Sequence, residues 1–235
     1  MKTVTMLRSG LGFGLALLVG ISLPIAAAAS KSDDALNTRA ANSIATVRAV
    51  YGPRKTATGS AVAVGHGTFV TSCHGTQEAR YIDIVGHGSQ WPVTRVVEDI
   101  EHDLCLLQVA GSEFDSLELA EPAVEPRVGD YVAAVGRVGS EINISEGTIN
   151  ALYPYDGAKV IQTDASFRVG QSGGALIDRQ GRLVGVLTFF AGAPRDYFAM
   201  PVRWLRALLL RVDKPIASSP TYLSGSVPIP SGRRS

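Results

Sequence analysis

Glycine punctuation is the strongest constraint on this chain. Twenty-five glycines are spread along 235 residues, and between them lie short β-branched and aromatic runs too brief to form helices. Ser60-Ala61-Val62-Ala63-Val64 and Thr68-Phe69-Val70-Thr71 flank Gly65-His66-Gly67, a tight hairpin turn that tolerates positive φ. Residues 81–85 and 91–97 repeat the device around Gly86-His87-Gly88. Residues 104–109 are a continuous apolar run, as expected of a strand covered on both faces. A second strand series starts at 131–135 and runs through 183–187, and the proline-bearing polar stretch 121–126 reads as the linker between the two series. Helical spacing is confined to a short turn near 34–43 and to 202–212, where Trp204, Leu205, Leu208 and Leu209 form one stripe. The expectation is an all-β protein with one half at about 43–120, a second at about 127–201 and a closing helix at 202–212.

Composition narrows the function classes. Hydrophobic residues make up 46% of the chain, enough to build a sizeable core. Lys and Arg number 22 against 21 acids and form no basic run, which argues against a nucleic-acid partner bound through phosphate neutralisation. Residues 1–30 have the three parts of a secretory signal: Lys2 and Arg8, then the apolar run 11–25, then the small-residue block 26–30. An uncleaved membrane anchor is the alternative, since the run approaches the ~20 residues that span a bilayer. With cleavage, the mature chain has no stable membrane span and enters the periplasm or the medium, where a disulfide can persist. Residues 31–42 form an N-terminal segment, and the Pro- and Ser-rich tail 214–235 is expected to be disordered.

Candidate chemistry centres on Gly170-Gln171-Ser172-Gly173-Gly174. Glycines on both sides of a serine let backbone N–H groups turn toward a developing oxyanion and let a substrate approach. An ordinary glycine-rich turn with an incidental serine is the alternative. A serine hydroxyl needs a base. Of the four histidines, His66 and His87 sit in Gly-His-Gly turns and read as solvated, as does His102, whereas His74 ends the strand before Gly75. Asp103 leads directly into the apolar strand, a costly position for a carboxylate without a partner such as an imidazole N–H.

Thr71-Ser72-Cys73-His74, His102-Asp103-Leu104-Cys105-Leu106-Leu107 and Gly170-Gln171-Ser172-Gly173-Gly174 resemble the three triad motifs of trypsin-like serine proteases, in the order of the chymotrypsin type. They are most similar to the bacterial HtrA/Deg-type branch, and the likeness extends over about residues 43–210, including Arg127-Val128-Gly129-Asp130-Tyr131-Val132 and Tyr197-Phe198-Ala199-Met200-Pro201. Gln171, Val169 and Cys73 stand where that branch usually has asparagine, proline, and asparagine or histidine. No PDZ domain is expected after the protease domain. The resemblance implies two perpendicular six-stranded antiparallel β-barrels with the site between them, protein or peptide substrates, and no cofactor or metal. It also implies Ser172 as nucleophile, His74 as general base, Asp103 as its orienting carboxylate, and the N–H groups of Gly170 and Ser172 as the oxyanion hole.

The same resemblance places a substrate strand along Thr188, Phe189 and Phe190 and a specificity pocket at Ser166 and Phe167, near Arg168, Tyr197 and Phe198. No aspartate stands at Ser166, and Phe167 and Phe190 narrow the pocket, so small or medium apolar residues are expected before the scissile bond. If His74 and Asp103 are bonded, Cys73 and Cys105 come close, because residues two apart on a strand share a face. A Cys73–Cys105 disulfide is therefore expected. Free core thiols and a zinc site from Cys73, His74, His102 and Cys105 are the alternatives, the latter disfavoured because adjacent strand residues point oppositely. The competing functional classes are a catalytically silent trypsin-like binding or scaffold module and a β-barrel binding protein without proteolytic ancestry.

Overall fold

The computed structural model describes residues 38–192 and 196–212. The expected signal at 1–30 and tail at 214–235 lie outside the described residues. Among the described residues, thirteen strands form two β layers closed by a C-terminal helix, and residues 38–42 are helical within the short turn expected near 34–43.

The first layer is β1 (Ile44–Gly52), β2 (Lys55–Gly65), β3 (Thr68–Thr71), β4 (Tyr81–Gly86), β5 (Ser89–Pro92), β6 (Arg95–Asp99) and β7 (Leu104–Gln108). They form one antiparallel sheet in the order β5-β4-β1-β2-β3-β7-β6. Two hairpins are the expected ones. Residues 66–67 connect β2 to β3, with Gly67 at φ +64, and residues 87–88 connect β4 to β5, with His87 at φ +47 and Gly88 at φ +73. Both φ values are positive in the second turn, as a type I′ hairpin turn requires.

One expectation needs correction here: residues 91–97 are not one strand. The layer is the half-barrel of the two-barrel fold, a seven-stranded sheet with β5 and β6 at its edges. One bend accounts for both features. Val93 N–H donates to Ile82 on β4, while Thr94 N–H donates to Gln108 on β7 (2.9 and 2.8 Å). Consecutive residues thus bond to opposite neighbours. The two edge strands are one stretch of chain folded after Pro92, and the sheet curls into a barrel-like shell around Phe69, Ile84 and Leu107.

The second layer is the closed six-stranded ring expected: β8 (Tyr131–Val138), β9 (Glu141–Tyr155), β10 (Ala158–Thr163), β11 (Ala175–Ile177), β12 (Leu183–Ala191) and β13 (Asp196–Pro201). Its interior holds Val132, Ile149, Ile161, Leu176 and Leu187. The fifteen-residue β9 has a single fully buried residue, the rest being exposed or half-buried, which hides it from apolar periodicity.

A third core lies between the layers. Ile44, Val62, Val70, Leu104 and Leu106 from the first meet Val135, Ala175, Ile177, Leu183 and Val186 from the second. The C-terminal helix (Val202–Leu209) closes this seam with Trp204, Leu205 and Leu208. It is shorter than the expected 202–212, and Leu209 is only partly buried. No helix among the described residues is long and apolar enough to cross a membrane. Leu205 is fully buried, so Leu205→Ala is expected to lower stability by about 2–5 kcal/mol in urea unfolding. A loss below about 1 kcal/mol would mean that the helix does not carry the seam.

Candidate active site

β3 ends at Thr71 and the chain tightens into a single 3₁₀ turn, Cys73–Gly75. The turn is held by Thr76 and Gln77 N–H donating to the Cys73 carbonyl (2.9 and 2.8 Å) and by the Tyr51 hydroxyl donating to Gly75 O (2.8 Å). His74 therefore projects from a fixed turn at the end of a strand. Asp103 sits just before β7 with φ +53, a left-handed conformation that aspartate tolerates better than most residues. Its carboxylate grips His74 twice. Nδ1 lies 2.8 Å from Oδ2, and the His74 backbone N–H donates to Oδ1 at 2.9 Å. The Thr188 hydroxyl, on β12 of the second barrel, donates to the same Oδ2 at 2.5 Å.

These contacts set the charges. Burial works against the Asp103 carboxylate, but the hydrogen bonds from the His74 ring, Thr188 and the His74 amide outweigh it and hold the group below its ordinary value. The Asp103 bond raises His74 above the ordinary imidazole value, against partial desolvation, with the Asp103 charge adding to the rise. An ionised carboxylate only accepts, so in the neutral ring Nδ1 carries the hydrogen and Nε2 keeps its lone pair.

The serine loop belongs to the second barrel. Gln171 N–H donates to Arg168 O (3.0 Å) around Val169 and Gly170. With Gly170 at φ +96 this is a type II turn, which turns the Val169–Gly170 peptide over relative to type I. Neither the Gly170 nor the Ser172 N–H donates to a backbone carbonyl among the described residues. Gln171 is buried and braces the turn, its Oε1 accepting from Arg168 N at 3.1 Å. The Gln171 side chain packs on Gly136, where a Cβ would come within 2.8 Å of the Gln171 Cβ.

The structure brings the three candidate residues together through Thr188. Its hydroxyl reaches Asp103, and its carbonyl accepts the Ser172 hydroxyl at 2.9 Å. Ser172 thus points to Thr188 O, and no hydrogen bond joins it to His74 among the described residues. Thr188, expected only as a substrate-strand residue, is buried and also braces the triad. The only sequence signal for this is a hydroxyl within an apolar strand. Phe189 is exposed and stacks on Phe198 at 4.8 Å. Phe190 pairs with Tyr197 in the β12–β13 ladder. β11 accompanies β12 only as far as Val186.

At the expected pocket, Phe167 is buried and clusters with Tyr197 (5.2 Å) and Phe190 (6.1 Å). Ser166 is exposed and shares a 3.1 Å hydroxyl contact with Ser145. Cys73 and Cys105 face each other with Cα atoms 5.0 Å apart and sulfurs at disulfide distance. The register Thr71↔Cys105 sets this up, rather than a face shared with Asp103, which lies outside the strand. His102 is not solvated as expected. It is buried, stacks on Trp204 at 4.1 Å, and faces Asp99 through Nδ1 and Asp156 near Nε2, both at 3.0 Å. The Asp156 contact has ion-pair distance but not hydrogen-bond geometry.

The geometry agrees with the comparisons. Residues 59–186, more than half of the chain, match the trypsin-like peptidase domain, and the chain belongs to that family. It is 31% identical to the periplasmic pH-dependent serine endoprotease DegQ of Escherichia coli K12 over 154 residues, which is 60% of this chain and 34% of DegQ. It is 32% identical over 131 residues to the periplasmic serine endoprotease DegP of Salmonella typhimurium, covering 52% of this chain and 27% of DegP. The chain spans about a third of the length of these curated relatives. Among solved structures it is similar to the HtrA-type protease AlgW with tripeptide, with TM-score 0.67 and 27% identity over 75% of this chain and 62% of that one. The serine endoprotease from Yersinia pestis gives TM-score 0.67 and 25% identity over 76% and 65%.

The Asp103 contacts make one titration testable. Favouring the protonated ring means that Nε2 is free to act as a base only above a raised pKa. NMR of the His74 ring should give a midpoint above ~6.5, which falls in Asp103→Asn. A midpoint indifferent to that substitution would remove Asp103 as the cause.

Proposed function

We propose that this chain is an exported serine endopeptidase that acts in the periplasm, with a signal at 1–30, and that hydrolyses protein or peptide substrates through an acyl-enzyme. The observation that carries the proposal is the double grip of Asp103 on His74, joined by Thr188 to the Ser172 loop. A χ1 rotation, between staggered wells, turns the Ser172 hydroxyl from Thr188 O toward His74 Nε2. Ser172 Oγ then bonds to the scissile carbonyl carbon while Nε2 takes its proton. The oxyanion is met by the N–H groups of Gly170 and Ser172, which the type II turn leaves without backbone partners. Imidazolium gives its proton to the leaving amine, and the acyl-enzyme remains. Water attacks the ester carbonyl with Nε2 again as base, and the proton returns to Ser172 as the acid product leaves. Asp103 stays ionised throughout, holding the tautomer and stabilising the imidazolium.

The Thr188-Phe189-Phe190 segment is the strand on which substrate would pair, supported by the end of the β11 ladder at Val186. The clustering of Phe167, Phe190 and Tyr197 supports an apolar pocket narrowed to small or medium side chains before the scissile bond. One observation favours a second reading, a catalytically silent binding or scaffold module: the Ser172 hydroxyl is bonded to Thr188 O.

A fluorophosphonate probe separates the two. Labelling of the wild type that disappears in Ser172→Ala and His74→Ala is expected. An unlabelled, folded wild type would leave the silent module. In a peptide library, alanine, valine or leucine before the cleaved bond should outpace arginine by about tenfold or more, and equal cleavage after arginine would overturn the pocket assignment.

Cys73 and Cys105 are proposed to be oxidised in the exported protein, closing a loop across a separation of 32 residues. Chain-entropy reasoning gives about 3–4 kcal/mol of stabilisation for such a loop. Peptide mapping without reductant should recover the linked pair; two alkylatable thiols would contradict it.

A further inference from the structure

Ser60 lies on β2 in the first barrel, at the seam, with no exposed surface. Each of its polar atoms is used, and mostly across that seam. Its N–H donates to the Ser172 carbonyl at 2.9 Å. Its hydroxyl donates to the Gly170 carbonyl at 2.9 Å and accepts from Arg137 N–H at 2.8 Å. Its own carbonyl accepts the Thr71 hydroxyl at 2.7 Å. The Arg137 guanidinium returns across the seam to Ile44 O at 2.7 Å, so the acceptor side of the hydroxyl is anchored from both barrels.

We propose that Ser60 is a positioning residue for the oxyanion hole. The inference rests on the endopeptidase reading above. The two N–H groups assigned to the oxyanion belong to Gly170 and Ser172, and Ser60 holds the carbonyls of these same two residues, one through its hydroxyl and one through its amide. One rigid, buried residue therefore sets the spacing between the two donors from outside the loop that carries them. The constraint is needed because Gly170 has little conformational preference of its own. A glycine without a held carbonyl can leave the type II geometry, and the donor at its N–H then moves off the oxyanion. The Ser60 amide tie to Ser172 survives Ser60→Ala, which removes the Gly170 tie together with the acceptor of the Arg137 N–H and leaves the buried Gly170 carbonyl without this donor.

The test compares full-length wild type and Ser60→Ala on a fluorogenic peptide and with a peptide boronate, whose adduct on Ser172 places a negative oxygen in the hole. The expected result is a kcat lower by about 10- to 100-fold, the range for loss of one oxyanion donor. KM should change by less than about threefold, and the boronate Ki should rise by a factor that follows kcat. A merely structural role would lower the melting temperature without moving kcat and Ki together. Unchanged kcat, or a boronate Ki that does not follow it, would overturn the proposal. If Ser60→Ala does not fold, Ser60→Cys, a poor donor of similar volume, takes its place with the same expectations. Should the wild type neither turn over nor accept a fluorophosphonate, the endopeptidase reading fails by itself. Hydrogen exchange over residues 168–173 then decides the tie: faster exchange in the variant supports it, and equal exchange overturns it.

Discussion

The structure depends on the crossing of the nucleophile loop over the first barrel at Gly173. This residue has φ +83, and a Cβ there would lie 2.2 Å from the Ser60 carbonyl and 2.2 Å from the Thr71 hydroxyl. Gly174 is also closed, a Cβ lying 2.5 Å from Val135 O. Only paired glycines let the loop pass this close to both barrels. From the crossing the rest follows by hydrogen bonds. Gly173 N–H donates to Leu187 O at 2.7 Å, and Leu187 N–H donates to Gly174 O at 2.8 Å. Those bonds fix β12 beside the loop, and the next residue, Thr188, is thereby delivered to Asp103. The glycines after the serine are thus a packing requirement between barrels before they are a chemical one.

The same crossing explains which parts of the site were legible in the sequence. Ser172 stood out because glycines flank it, and His74 and Asp103 because each lies where an apolar run stops or starts and a polar residue without a packing role is conspicuous. Cys73 and Cys105 were legible from the expected His74–Asp103 bond, although the register Thr71↔Cys105 brings them together rather than a face shared with Asp103. Thr188 and Ser60 were not legible in these roles. Each is a hydroxyl within or at the end of an apolar strand, and its partners lie 85 and 110 residues away. No local pattern encodes such a pairing, which exists only once the barrels are in contact.

The fold divides similarly. Hairpins marked by Gly-His-Gly, the apolar β7 and the striped C-terminal helix follow from period and turn chemistry. The bend at Val93 and Thr94 does not, since it reflects two consecutive amides bonding to opposite neighbours as the sheet curls. β9 escapes because only one of its fifteen residues is fully buried, so its inward face leaves little apolar pattern.

The two His–Asp groups show how far residue type underdetermines role. His102 and Asp103 are adjacent, yet they belong to different structures. The left-handed backbone of Asp103 breaks the strand before β7 and turns its carboxylate to His74, while His102 goes to the opposite side, onto Trp204 and between Asp99 and Asp156. The His74 side chain is 52% exposed, and its Nε2 has no partner among the described residues, so its ring can exchange a proton with a substrate. His102 is only 9% exposed, with each nitrogen facing a carboxylate. One of these, Asp99, is in the first barrel and the other, Asp156, is in the β9–β10 turn of the second, so the ring ties the barrels together. Motif spacing gives both histidines an acidic neighbour. What separates a base from a brace is whether the outer nitrogen reaches open space, as on the exposed His74 ring, or is closed in beside a carboxylate, as on His102.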